Sequence, residues 1–218
     1  MARNFIAASN QYMSNASAVV AAMPVTMACW FRSTSITADQ RLMTISAAGS
    51  LNNHSLKADG SVAGDPVSAF SRDGGGNNAA TTTTGFSANT WHHACGVFAS
   101  ATDRRAFIDG GSKGTNTTSR SPLMEETWFA RSATGTDDLD GDLAEAAMWD
   151  VALTDAQVTM LGLGFCPLLV APEGLVAYWP LLGRFDPEIS PVGGFALTLT
   201  ASPANAVHPI IRRSLQVR

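Results

Sequence analysis

The chain has 218 residues, 45% of them hydrophobic and only 15% charged, with 19 Gly and 10 Pro, which is material for a buried core cut by many turns and excludes disorder of the bulk. A net charge of -4 and a pI near 5.5 exclude the basic footprint by which phosphate neutralisation holds nucleic acid, and fit an anionic lipid surface poorly. No apolar run approaches the roughly 20 residues of a membrane-spanning helix, so a soluble protein with neither nucleic acid nor membrane as partner is expected.

The opening residues, Met1 to Phe5, run into polar and alternating sequence without the basic-then-apolar layout of a secretory signal. Three cysteines at wide spacing, Cys29, Cys95 and Cys166, make no disulfide framework and no paired metal ligands, and are expected as buried, reduced thiols. In chain order, Met27 to Arg32 alternates with period two, placing Met27, Cys29 and Phe31 on one strand face and Ala28 and Trp30 on the other. Val67 to Phe70 and the β-branched run Thr81 to Thr84 read as strands flanking a glycine-rich loop, Asp73 to Asn78. That loop is followed by neither a helix nor a lysine, so it is a poor phosphate cradle.

Trp91 to Phe98 and Arg104 to Ile108 read as a hairpin, and Asp109-Gly110 after them is a strong turn signal. One helix is written clearly: Thr154 and Gln157 form a capping box, with Leu153 and Val158 as its hydrophobic staple and Gly162 and Gly164 as its limit. Gly174 to Leu181 and Phe195 to Thr200 are further strands. From Ser202 the composition turns basic, with His208, Arg212, Arg213 and Arg218 and no acid after Glu188. Residues 202–218 are therefore expected as an extended arm whose Arg212, Arg213 and Arg218 dock on a partner.

The ordered series Trp30-Phe31, Trp91-His92-His93, Ala106-Phe107-Ile108-Asp109-Gly110, Leu139 to Glu145 leading to Trp149-Asp150, the Ala152-Leu153-Thr154 cap and Gly174 to Trp179 resembles the laminin-G-like, concanavalin A-like jelly-roll family. The resemblance spans roughly Phe5 to Thr200. It implies an all-β antiparallel sandwich with one short helix over residues 1–201, the arm following. Members include lectins, adhesion modules, glycanases and stand-alone modules like those in bacteriophage virions.

Laminarinase-type glucanases on that fold use a Glu-x-Asp-x-x-Glu strand, which sets two carboxylates on one face at the separation of retaining chemistry. None of Glu125, Glu126, Glu145, Glu173 and Glu188 has Asp two positions on, so no catalytic residue is assigned. Glu145 and Asp150 fall on opposite faces of a regular strand and read as structural or solvated. His92 and His93 read as one surface and one sheet-packing residue, since spacing alone shows no partnered Ser or Cys.

Asp138, Asp140 and Asp142 alternate around Gly141 and are candidate oxygen ligands for Ca²⁺, although the twelfth residue from Asp138 is Trp149 where an EF-hand loop needs Glu. Of five tryptophans, Trp30, Trp91, Trp149 and Trp179 lie in strand patterns and read as core, leaving Trp128, beside Glu125, Glu126 and Arg131, as the candidate sugar platform. The resemblance and the missing signal together imply a non-enzymatic phage virion surface protein, a capsid decoration or attachment module contacting host glycans. It would be synthesised in the host cytoplasm, with virion proteins, itself or polysaccharide as partners. A soluble lectin binding through the loops Asp73 to Asn78 and Ser112 to Arg120 is the alternative, and a glycan-cleaving enzyme the third reading.

Overall fold

A computed structural model describes residues 1–213. In chain order these form β1 (Ala2–Phe5), β2 (Tyr12–Asn15), β3 (Val25–Ser33), β4 (Asp39–Ser46), β5 (Asn53–Asp59), β6 (Pro66–Asp73), β7 (Gly76–Gly85), β8 (His92–Ser100), β9 (Asp103–Ile108) and β10 (Gly111–Asn116). There follow β11 (Glu126–Phe129), β12 (Gly141–Trp149), the helix α1 (Asp155–Gly162), β13 (Leu175–Trp179), β14 (Glu188–Ile189), β15 (Ala196–Thr200) and β16 (Ala204–Ala206). Two 8-stranded sheets result. The first runs β10-β9-β8-β3-β12-β1-β16 with β13 also on β12, and the second runs β14-β15-β2-β11-β4-β5-β6-β7.

The period-two pattern of β3 explains the layering. Met27, Cys29 and Phe31 point between the sheets, into a core shared with Met43, Ile45, Leu56, Val67 and Phe129. Ala28, on the other face, joins Cys95, Val97, Phe107, Trp149 and Tyr178 beneath the helical layer of Leu153, Val158 and Leu161. Each fully buried aromatic or aliphatic side chain contributes about 1.5–3 kcal/mol of transfer free energy, so this sheet is stabilised from both sides. All three cysteines are buried and free.

The helix is capped as its sequence dictates: the Gln157 N–H donates to Thr154 Oγ1 at 3.3 Å and the Thr154 N–H donates to Gln157 Oε1 at 2.8 Å. Leu153 and Val158 are both fully buried. Gly162 does more than stop the helix. A Cβ there would lie 2.3 Å from the Gly110 nitrogen, so the absent side chain lets α1 seat on the turn between β9 and β10. In that turn Asp109 and Gly110 both have positive φ, 51° and 75°, as a two-residue hairpin requires.

Two expectations change. The glycine-rich loop shrinks to a hairpin tip, because β6 runs to Asp73 and β7 begins at Gly76, with Asp73 opposite Gly76; backbone pairing extends both strands beyond their β-branched residues. Of the arm expected from Ser202, the described part, residues 202–213, lies on the body of the domain. Ala204–Ala206 is the last strand of the first sheet, with Ala2 opposite Ala206, and Arg212 bridges Phe165. The backbone groups of β1 need an edge partner and this segment supplies it. Arg218 lies outside the described residues.

Candidate functional site

The helical layer covers the first sheet, while the outer face of the second carries rings and polar groups. Trp128 sits there, on β11 between Ser14 of β2 and Thr44 of β4. Alternation sends its neighbours Thr127 and Phe129 inward, both fully buried. The indole is half-buried, 5.5 Å from the Tyr12 ring, and its Nε1 donates to Glu126 Oε2 at 3.1 Å. The Arg131 guanidinium lies 4.5 Å over Tyr12. The platform read from the sequence is thus an aromatic pair with a cation stacked on it.

Thr44 and Ser46 of β4, Asn53, Ser55 and Lys57 of β5, and Ser68, Phe70 and Arg72 of β6 share this face by register. Arg41, at the bulge of β4, lies along it. Its Nη1 donates to Asn53 Oδ1 at 2.9 Å and to Ser55 Oγ at 2.6 Å, and its Nε to Asp137 Oδ2 at 3.1 Å. Lys57 pairs with Asp59 at 2.8 Å. Both cations stand 5.2 Å from the Phe70 ring, a cation–π arrangement. Burial pulls the Arg41 pKa below its ordinary value, against the attraction of Asp137, yet a guanidinium remains charged. The result is a hydrogen-bonded polar layer, with Thr44, Ser46, Asn53, Ser55 and Ser68 buried and Arg41 and Lys57 only 5% and 6% exposed, bounded by the half-buried Trp128 and Tyr12 on one side and Phe70 on the other.

The acidic run does not assemble a cation site. Asp137 holds Arg41, and Asp138 pairs with Arg131 at 3.3 Å. Asp140 accepts from Thr34 Oγ1 at 2.6 Å. Asp142 accepts from Arg32 Nε at 2.6 Å and from Asn4 Nδ2 at 2.8 Å. Among the described residues no three His, Cys, Asp or Glu side chains converge as metal ligands. The run crosses from the second sheet to the first, and each carboxylate is used singly where it lands. Asp137 and Asp138 thereby position Arg41 and Arg131. The two rim loops meet each other instead: the Ser121 N–H donates to Asp73 Oδ2 at 2.9 Å, and Gly111–Asn116 is strand β10.

His93 is sheet packing, 2% exposed and 5.6 Å from the Trp30 ring, and burial lowers its pKa to about 4. His92 is partly exposed, its side chain 13% accessible. Its Nδ1 lies 2.8 Å from Asp109 Oδ2, and Ser87 Oγ lies 3.2 Å from its Nε2. This Ser-His-Asp outline is one that spacing did not reveal. The Ser87 amide also donates to Nε2 at 3.1 Å, which occupies the lone pair a general base needs, and Asp109 is half exposed. The trio closes the turn before β8.

Sequence reasoning also missed a buried polar cluster on β12. A bulge in β12 between Ala144 and Ala147 breaks the alternation, and Glu145 there takes φ 52° and is 2% exposed. Its carboxylate accepts from Tyr178 Oη at 2.5 Å and Arg213 Nη2 at 2.9 Å, with His208 Nε2 at 3.1 Å. It is structural, not solvated, and the basic C-terminal segment completes it. Asp150, by contrast, is exposed.

The sequence profile of the laminin-G type described as the concanavalin A-like lectin/glucanases superfamily matches residues 7–159. The chain belongs to this superfamily. Among solved structures, a putative carbohydrate binding protein from Bacteroides ovatus aligns at 17% identity with TM-score 0.67, over 95% of this chain and 61% of that one. Domain 4 of the arabinanase AbnA from Geobacillus stearothermophilus, in complex with arabinotriose, aligns at 16% identity and TM-score 0.57 over 68% and 71% of the two chains. The enzymatically active domain of bacteriophage CBA120 tailspike protein 2 aligns at 14% identity and TM-score 0.57, over 78% of this chain and 28% of that one. These likenesses show the lectin-like jelly roll shared across the superfamily. No curated protein sequence matches.

Proposed function

We propose that this superfamily member is a non-enzymatic saccharide-binding module of a phage virion surface, serving in decoration or attachment, and that the outer face of its second sheet holds the glycan. The observation that carries the reading is the Tyr12–Trp128 pair bordering a polar layer already fixed by Arg41, Asn53 and Ser55. A flat ring complements the apolar face of a pyranose, and the buried polar layer beside it holds the two rings in place. Side chains already locked in place lose little entropy when the sugar binds. The saccharide-binding relatives and the tailspike domain support the class and the setting.

A glycan array tests it. The full chain should show a defined set of bound saccharides, unchanged by a chelator, and Trp128→Ala should lose them while melting as the unsubstituted chain does. A blank array, or an unaltered profile for Trp128→Ala, overturns the assignment of this face. Release of reducing ends from any bound glycan overturns the non-enzymatic part.

A further inference from the structure

The cations of the outer face are not equivalent. Arg41 has Asp137 at 3.1 Å, Lys57 has Asp59 at 2.8 Å, and Arg131 has Asp138 at 3.3 Å. Arg72, half-buried on the same face, makes no side-chain hydrogen bond or ion pair among the described residues. Strand register places it between Asn53 of β5 and Asn77 of β7, and Arg41 already bonds Asn53. Two guanidinium groups therefore flank one asparagine, and the influence of Arg72 is felt at Arg41, whose pKa burial lowers and Arg72 lowers further. The nearest carboxylate in sequence, Asp73, alternates to the other side and is held by the Gly75 and Ser121 amides at 2.8 and 2.9 Å.

An unpaired, half-desolvated cation beside a second one is unfavourable on its own and becomes favourable when an anion arrives. Its surroundings are those of a sugar subsite. Phe70, two positions earlier on the same face, is half-buried and already carries the Arg41 and Lys57 cations at 5.2 Å from its ring. Asn77 is exposed with its amide uncommitted among the described residues. Ser68 carries a buried hydroxyl without a partner.

We infer that Arg72 makes this face selective for acidic saccharides, its planar fork taking the carboxylate or sulfate of a charged sugar. The inference rests on the saccharide-binding reading of the same face. The fork geometry matters, because a guanidinium binds an oxyanion through two parallel N–H donors where an ammonium offers a point charge.

The test compares saccharides differing only in charge: oligogalacturonate against its fully methyl-esterified form for the carboxylate, and dextran sulfate against dextran for the sulfate. Titration calorimetry on the full chain should give the acidic member of at least one pair an affinity about tenfold higher or more, the share of one charge-assisted contact. The preference should shrink as salt rises. Arg72→Gln should bring the two members to parity, and Arg72→Lys should recover part of the preference. Equal affinities within both pairs, or a preference that survives in Arg72→Gln, overturns the role of Arg72. If neutral saccharides bind and acidic ones do not, this inference fails alone; if none binds here or on the array, the saccharide-binding reading fails with it. Matching thermal melts of Arg72→Gln and the unsubstituted chain exclude misfolding.

Discussion

Arg213, the last of the described residues, places its Nη2 2.9 Å from Oε1 of Glu145, a carboxylate 1% exposed at the bulge of β12. The contact ties the C-terminal segment to the strand at the centre of the first sheet. Glu145→Ala should cost about 1–3 kcal/mol, mostly from the Tyr178 hydroxyl left buried without an acceptor. Arg213→Ala should cost about 1 kcal/mol or less, since that side chain is half exposed and screened. Truncation after Ser202 should cost more than either, because it removes β16 and bares the edge of β1. Chemical denaturation reads the first two. Light scattering reads the third, as self-association of the truncated form, and a monomer as stable as the full chain would contradict it.

Burial lowers the pKa of His54 to about 3 and of His93 to about 4, below the ordinary 6.5. Both are neutral in the folded chain and gain protons more readily on unfolding, so their contribution is complete above pH 6.5 and lost as pH falls through 6.5 towards 4. Each should reduce stability by up to about 1.4 kcal/mol per pH unit in that window. Denaturation midpoints between pH 7 and pH 4 measure the slope. Replacing His93 by Gln, which does not titrate, should reduce the slope by its share, and an unchanged slope would show that His93 carries none of the acid sensitivity.

Asp138, Asp140 and Asp142 each have a partner already, so melting curves in calcium and in chelator should coincide. A rise of several degrees with calcium would show that the cation displaces those partners. Asp137→Ala should weaken saccharide binding more than stability, because Asp137 orients Arg41 on the outer face.

Cys29 and Cys95 are fully buried, and burial raises both thiol pKa values far above the ordinary range. Neither offers a thiolate to a reagent in the folded chain. Thiol labelling should therefore proceed at the rate of global opening, accelerate with denaturant, and stop accelerating past the unfolding midpoint. Rapid labelling in native buffer would place one of these thiols in a locally opening segment.

What depended on local chemistry was readable from the sequence. The alternation of Met27, Cys29 and Phe31 identified the buried face of β3, Thr154 and Gln157 the start of the helix, and Asp109-Gly110 the turn between β9 and β10, because a residue's own backbone and near neighbours impose those choices. Trp128 was singled out by its charged flanks, but Tyr12, Arg41, Phe70 and Arg72, which complete its face, come from three other strands. Sequence order does not say which strands lie side by side. The same limit explains the acidic run, read as one constellation and divided between two sheets, and the basic tail, read as an arm for a partner, of which His208 and Arg213 reach Glu145. Composition and periodicity determined the sandwich and its helix. Only the packing of distant strands decided which charges meet, since an ion pair depends on separation in space, and strand pairing sets that independently of separation along the chain.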